Sequence, residues 1–405
     1  MIQIIKKKDC CGCEACYNAC PTKCIFMEYD EEGFKYPRVD EKRCINCSRC
    51  EKVCPILAER KKSDDYAEGY AAINTNESTR LISSSGGVFA LLAQETIDSG
   101  GIVVGVAMSE DCRRAQHIII DRKDDLKLLL GSKYLQSDIG NIYQKIKEEL
   151  NNKKKVLFSG TPCQVAALHS FLGKEKTEDL ICVDLICHGV PSPGLWEKNV
   201  EYIEQKTRST LKNVSFRHKK EQMNSEYGIL YQNTCYNSKD EDLYFRMFMK
   251  EYSLRLSCYN CKFKGVSRDS DITLGDFWGI DDFCPKMDDG KGVSLVVIQS
   301  IEGKKIFDSI KCHLKTKPVD IKKVFETHNE AMLKSSKLPP DREDFWRDYQ
   351  TLSFKKLSEK YVRLTSKDII KKYLRKVGLL EKARRIKNGG GVTSNSFGML
   401  YIITK

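Results

Sequence analysis

Two copies of one cysteine ladder, Cys10-x2-Cys13-x2-Cys16-x3-Cys20-Pro21 and Cys44-x2-Cys47-x2-Cys50-x3-Cys54-Pro55, restrict what the start of this chain can fold into. Three thiols at two-residue gaps can close on one face of a cubane iron-sulfur cluster, while the fourth, followed by proline, is directed away to a second cluster. Cys10, Cys13, Cys16 and Cys54 are therefore assigned to one 4Fe-4S centre, and Cys44, Cys47, Cys50 and Cys20 to the other. Structural zinc also uses CxxC pairs, but zinc modules rarely place three evenly spaced thiols in one run. Cys11 and Cys24 fall off the ladder; Cys11 replaces Cys10 only if the register slips by one residue.

A chain of 405 residues is too long for the cluster module alone and implies two or three domains. Nineteen cysteines would suit disulfides in a secreted protein, yet the opening Met-Ile-Gln-Ile-Ile-Lys-Lys-Lys has no apolar leader core and no apolar run reaches the length of a membrane span. The expectation is a cytoplasmic protein whose thiols stay reduced and free to bind metal. Of the net charge of +12, +7 lies between Lys367 and Lys387, where nine Lys or Arg residues face two acidic ones. The near balance elsewhere argues against nucleic-acid binding.

Three domains are expected: an α+β two-cluster module over residues 1–60, a mixed-sheet α/β domain over 66–330 and a basic helical extension over 335–405. Lys61, Lys62, Ser63, Asp64 and Asp65 read as a polar linker. After it, apolar runs around Ala71, Val103, Ile119, Leu157 and Val183 alternate with helical stripes at Ile139, Ile142, Ile146 and Leu150, and at Val165, Leu168 and Leu172. Residues 213–236 read as a hairpin or sheet extension, and Ser294 to Ile298 as a buried strand. Pro339 and Pro340 punctuate the passage into the polar helical tail.

Ser83, Ser84, Ser85, Gly86 and Gly87 form a turn feeding an amphipathic helix, with serines placed to cap it and glycines that allow a phosphate to approach its N-terminus. A plain helix cap is the simpler reading of the same residues. Two further polar loops, Gly131-Ser-Lys-Tyr-Leu-Gln-Ser137 and Ser159-Gly-Thr-Pro-Cys-Gln164, support a ligand site; the second follows a strand and opens a helix, the usual ligand position in an α/β sheet. Cys163, Cys187, Cys258 and Cys261 stand beside turn residues and can hold a third 4Fe-4S cluster; a zinc on the CxxC pair with two ordinary buried cysteines is the alternative, and Cys284 is the reserve ligand. His188 is placed to deliver a proton or simply to fix its loop, and Asp276 with Trp278 marks a tight turn or a buried aromatic corner.

The motifs SSSGGVF, GSKYLQS, FSGTPCQVAAL, DLICHGVPSP, SCYNCKFK and DITLGDFWGI, in that order, resemble the coenzyme F420 (deazaflavin) hydrogenase/dehydrogenase beta-subunit family, and the likeness runs from the ferredoxin-like module to about residue 310. The resemblance implies an iron-sulfur flavoprotein that passes electrons between clusters and a two-electron acceptor through FAD. It also implies that Ser84, Ser85, Gly86, Gly87, Lys133, Tyr134, Gln136 and Thr161 hold the flavin, with Lys133 close to its ring system and the third set of cysteines nearby. The rival expectation is an electron-transfer and docking subunit without its own substrate site. A ferredoxin or a catalytic subunit is the expected partner, with a basic helix over residues 366–377 as a docking element towards an acidic protein or an anionic membrane surface.

Overall fold

The computed structural model describes residues 1–58, 67–173, 178–219, 227–232, 235–238 and 240–366. The expected linker and, apart from Ser366, the expected basic helix lie outside these residues.

The cluster module consists of α1 (Ala15–Ala19), the antiparallel pair β1 (Ile25–Tyr29) and β2 (Lys35–Val39), and α2 (Arg49–Lys52). Each short helix follows a left-handed residue, Glu14 or Ser48, that turns the chain from the first two cysteines of a ladder towards the third and fourth. The first half of the body contains β3 (Glu68–Asn74), α3 (Glu77–Ile82), α4 (Val88–Asp98), β4 (Ile102–Met108), β5 (Ala115–Ile120) and α5 (Leu126–Leu129). It continues with β6 (Ser137–Asp138), α6 (Ile142–Asn151), β7 (Val156–Ser159), α7 (Pro162–Leu172), β8 (Leu180–Leu185) and α8 (Pro193–Thr207). Then come β9 (Val214–Lys219), β10 (Tyr227–Tyr231), β11 (Cys235–Ser238), α9 (Leu243–Met249), β12 (Ile272–Asp276), α10 (Ile280–Phe283) and β13 (Ser294–Ile298). The last elements are α11 (Ile301–Ile310), β14 (Leu314–Val319), α12 (Ile321–Thr327), α13 (Arg342–Thr351) and α14 (Phe354–Tyr361).

Nine strands form one mixed sheet in the order β14-β3-β13-β12-β8-β7-β4-β5-β6, parallel from β12 through β8 and β7 to β4. Period-two alternation splits the side chains of β4 between the faces: Ile102 and Val104 join the core beneath α6 and α7, and Val103 joins the core beneath α4 and α11. β13 is buried along its whole length, as its unbroken apolar run requires. The stretch expected as a hairpin is the three-stranded antiparallel sheet β11-β10-β9. The mixed-sheet α/β body with a cluster module in front of it is therefore as expected.

The C-terminal segment differs from the polar extension expected. Phe345 and Trp346 of α13 and Phe354, Leu357 and Tyr361 of α14 are buried in the same core cluster as Phe34 and Tyr36 of the module and Leu195 and Trp196 of α8. Arg342 clamps Glu32 through two charge-assisted hydrogen bonds of 2.8 and 2.6 Å, so one end of the chain holds the other.

Candidate functional site

β7 and β8 run parallel, so the loops at their carboxyl ends open on one rim of the sheet. The first loop begins α7 with a reciprocal capping box between Thr161 and Gln164 and with Pro162 in the first turn, which fixes Cys163 there. The second loop carries Cys187 and His188. Cys258 and Cys261 reach the same rim from a 3-10 turn, Leu256–Asn260.

The twelve cysteines expected as ligands ring three cavities, four to each. Cys163, Cys187, Cys258 and Cys261 line an open cavity of about 670 Å3 together with His188, Lys264 and Arg268. Cys10, Cys13, Cys16 and Cys54 line one of about 370 Å3, and Cys20, Cys44, Cys47 and Cys50 one of about 330 Å3. Cys54 thus stands with Cys10, Cys13 and Cys16, and Cys20 with Cys44, Cys47 and Cys50. The cysteines surround a space and do not meet at a point: among the described residues no three Cys, His, Asp or Glu side chains gather closely enough to hold a single metal ion.

Two off-ladder cysteines also reach these walls. Cys11 lines both the first-ladder cavity and the larger one, and its thiol hydrogen-bonds to Cys13 and Cys163. Cys24 lines the second-ladder cavity with its sulfur 3.4 Å from that of Cys20. Cys284, the reserve ligand, packs in another core cluster with Phe277 and Met287 and lines none of the three.

The cavities stand in a row. Asp9, Cys11 and Ile56 form a wall common to the first-ladder cavity and the larger one. Ile2 lines the first-ladder cavity while its backbone N–H donates to Cys50 Sγ of the second at 3.3 Å. Cys47, at the outer end, is exposed.

Donors and cations face the sulfurs. Val190 N–H points at Cys258 Sγ at 3.5 Å, Phe263 N–H at Cys261 Sγ at 3.4 Å, and the Thr161 hydroxyl lies 3.2 Å from Cys163 Sγ. Lys264 donates to the carbonyls of Cys187 and Ala331 and closes the loop over the cavity. Burial pushes the Cys187 thiol up to about 12 and raises Cys258 and Cys261, while Cys163 is raised first by its hydrogen bond with Cys11 and then by burial. Burial also lowers the His188 imidazole, against the Glu251 carboxylate 3.4 Å from its Nε2.

The residues expected to hold a flavin are only partly brought together. The Ser132 hydroxyl donates to Ser84 Oγ at 2.9 Å, joining the serine turn to the GSKYLQS loop. Lys219 of β9 enters this junction and donates to the carbonyls of Arg80 and Ser85. Among the described residues Lys133 donates to the Leu128 and Leu130 carbonyls alone, at 3.0 and 2.9 Å, and burial lowers both lysines to about 7. Arg217, beside Lys219 on the same strand, pairs with Asp276, and Trp278 is half exposed just beyond.

The other expected flavin residues have work within the fold. α4 is capped by Gly87 in a left-handed conformation with no side-chain cap, contrary to the expected serine caps. The serine hydroxyls are engaged elsewhere: Ser83 donates to Thr79 O and Ser85 to Val293 O. Gly86 sits so close to the sheet that a Cβ there would lie 2.3 Å from Ala72 O. The Tyr134 ring packs against Phe216, Phe245 and Phe248. The Gln136 amide donates to Cys11 O at 3.0 Å and accepts from Arg255, and Thr161 serves as the α7 cap.

Sequence reasoning passed over Arg255, Lys219, Lys264 and Arg268. Lys264 stands in the SCYNCKFK motif, where a cation beside two thiolates was a readable signal. Arg255 had none beyond its position three residues before Cys258.

Residues 9–58 match the 4Fe-4S dicluster domain, and residues 153–322 match the family described as the C terminus of the coenzyme F420 hydrogenase/dehydrogenase beta subunit. Among solved structures, a chain of the F420-reducing [NiFe] hydrogenase complex from Methanosarcina barkeri aligns at 15% identity and a TM-score of 0.44, over 73% of this chain and 94% of that one. No curated protein matches. Over residues 9–58 the chain is thus similar to a 4Fe-4S dicluster domain, and over residues 153–322 to the C terminus of the coenzyme F420 hydrogenase/dehydrogenase beta subunit.

Proposed function

We propose that the protein is an iron-sulfur flavoprotein subunit of an oxidoreductase, with three 4Fe-4S sites in a row leading to an FAD site at the junction of the serine turn and the GSKYLQS loop. When bound, such groups supply one-electron carriers and a flavin that pairs the electrons for a two-electron acceptor. The observation that carries this reading is the row of three cysteine-ringed cavities, in which the larger and first-ladder cavities share a wall and Ile2 links the first-ladder cavity to Cys50 of the second, with Cys47 exposed at one end and His188 lining the other.

The side chains have distinct parts in this scheme. The four-cysteine sets hold the clusters, and the N–H and hydroxyl groups aimed at Cys163, Cys258 and Cys261 stabilise the thiolate form of those ligands. Lys133 and Lys219, lowered to about 7 by burial, supply positive charge to the phosphate or ring of FAD and return to the cationic state beside it. His188, kept neutral by burial, accepts a proton at the inner cavity, with Glu251 3.4 Å from its Nε2. An acidic ferredoxin or a catalytic subunit docks at the Cys47 end. The engagement of Tyr134, Gln136 and Thr161 within the fold favours a second reading, an electron-transfer and docking subunit that binds no flavin.

Anaerobic purification with iron, acid-labile sulfide, zinc and flavin quantified together separates the readings. The proposal expects three clusters and one FAD per chain, and Cys258→Ser to lower iron and sulfide by a third. Zinc in place of iron, or a wild-type protein with only two clusters, overturns it; three clusters without flavin selects the docking subunit.

A further inference from the structure

Arg255 is completely buried, and among the described residues its guanidinium has no carboxylate partner. Its Nε donates to Cys10 O at 2.7 Å, Nη1 to Gln136 Oε1 at 3.0 Å and Nη2 to Lys35 O at 2.9 Å. Nη2 also stands 3.5 Å from Cys10 Sγ, and the guanidinium lies over the Tyr36 ring, 4.1 Å from its centroid. A Cβ at Gly12 would come within 2.8 Å of this group, so the module loop is shaped around it. A cation held out of water is costly unless negative charge stands close by. The ionisable groups that face it are the Cys10 thiol, the Tyr36 hydroxyl and the Cys11 thiol.

We propose that the counter-charge of Arg255 is the 4Fe-4S cluster held by Cys10, Cys13, Cys16 and Cys54, and that Arg255 sets this cluster's reduction potential above that of the cluster held by Cys20, Cys44, Cys47 and Cys50. The inference rests on the ligand assignment of the proposed function. One-electron reduction adds one negative charge to a cluster and needs no proton. A fixed cation in a poorly screened interior, with an N–H aimed at a ligand sulfur, therefore stabilises the reduced form and raises the potential. The other module cavity faces solvent at Cys47, where water screens surrounding charge. The resulting order makes transfer from the outer to the inner cluster favourable and directs electrons towards the Cys163 cavity. Gln136 is the positioning residue: it holds Nη1 while its other end grips the Cys11 loop.

The test is an EPR-monitored potentiometric titration of the full-length, anaerobically purified protein, with dithionite as reductant, on wild type, Arg255→Gln and Arg255→Lys. The expected result is a lower potential for one module cluster in Arg255→Gln, a smaller drop in Arg255→Lys, and no change in the cluster that Cys47→Ser removes. A purely structural role would reduce cluster content or stability in both variants while the clusters that remain keep wild-type potentials, and that outcome overturns the proposal. If Arg255→Gln does not assemble, Arg255→Lys decides alone: wild-type potentials throughout overturn it. A shift confined to the Cys47 cluster does the same. Wild-type protein without iron would instead refute the ligand assignment beneath it.

Discussion

Replacing Arg342 with methionine should loosen the module from the body. Its guanidinium is bidentate to Glu32 and also donates to Leu254 O at 2.8 Å and Tyr259 Oη at 3.1 Å, with side-chain exposures of only 4% for Arg342 and 10% for Glu32. Burial raises the Glu32 carboxyl even with the arginine present, so the carboxylate already sits at a cost that this partner offsets most, with a smaller contribution from Lys7. Removing one member of a buried pair typically costs about 3–5 kcal/mol, because the remaining charge is left uncompensated. Arg342→Met should therefore lose about 3–5 kcal/mol at pH 7 and less near pH 5, where Glu32 can take up a proton. The assay is anaerobic urea unfolding followed by the fluorescence of Trp346, which lies against Arg342, in a cycle with Glu32→Gln and the double variant. The double variant should recover at least ~1 kcal/mol relative to the sum of the singles. A single-variant loss below ~1 kcal/mol, the range of an exposed pair, or strict additivity in the cycle would refute the clamp.

Lys133→Met should leave iron content unchanged while weakening FAD retention about tenfold, ~1.4 kcal/mol, and shifting the flavin potential downward; unchanged flavin content and potential would reduce Lys133 to a loop clasp. Glu14, buried by the module and accepting a hydrogen bond from Gly140 N at 2.8 Å, is raised by burial from 4.5 to about 7. Because the folded pKa lies above the unfolded one, its contribution is fully present below pH 4.5 and is lost as pH rises through about 7, by about 3 kcal/mol in all. Glu14→Gln should flatten the stability profile across that window, and an unchanged slope would show that Glu14 does not titrate with folding.

The readable parts of this protein are those whose chemistry is local. Cluster ligation requires particular residue spacings, so the ladders could be partitioned into two crossed sets before any fold was known. The stripes of α6 and α7 and the run of β13 were equally plain, since periodicity and burial are linked within single elements. Ambiguity arose where one composition serves two purposes. Thr161, Pro162 and Gln164 form a helix cap as well as a polar loop, and Gly86 is a glycine because the sheet leaves no room for a Cβ. β12 was hidden because its sequence runs into Phe277 and Trp278 and suggested a turn, although it pairs parallel with β8 and antiparallel with β13. The roles of Gln136 and Arg255 were not readable at all: their partners lie more than a hundred residues away, and no local pattern encodes such contacts.

The end of the chain shows what this distinction means for a truncation. Pro339 and Pro340 marked a boundary in the sequence, yet the segment after them supplies Phe345, Trp346, Phe354, Leu357, Tyr361 and Val362 to the core that also contains Phe34 and Tyr36 of the module. At about 1.5–3 kcal/mol for each large buried side chain, these six contribute on the order of 10 kcal/mol, comparable to the ~5–15 kcal/mol that stabilises a whole domain. Deleting residues 335–405 should therefore give insoluble protein without clusters, because it also strips Glu32 of Arg342. Deleting 367–405 removes none of these contacts and should leave iron content at the wild-type level, while any association with an acidic partner that depends on Lys367, Lys371, Lys372, Arg375 and Lys376 is lost along with its salt sensitivity. A soluble, fully loaded protein ending at residue 334 would show that α13 and α14 are an appendage, and the core they share with the module would then have to be stable without them.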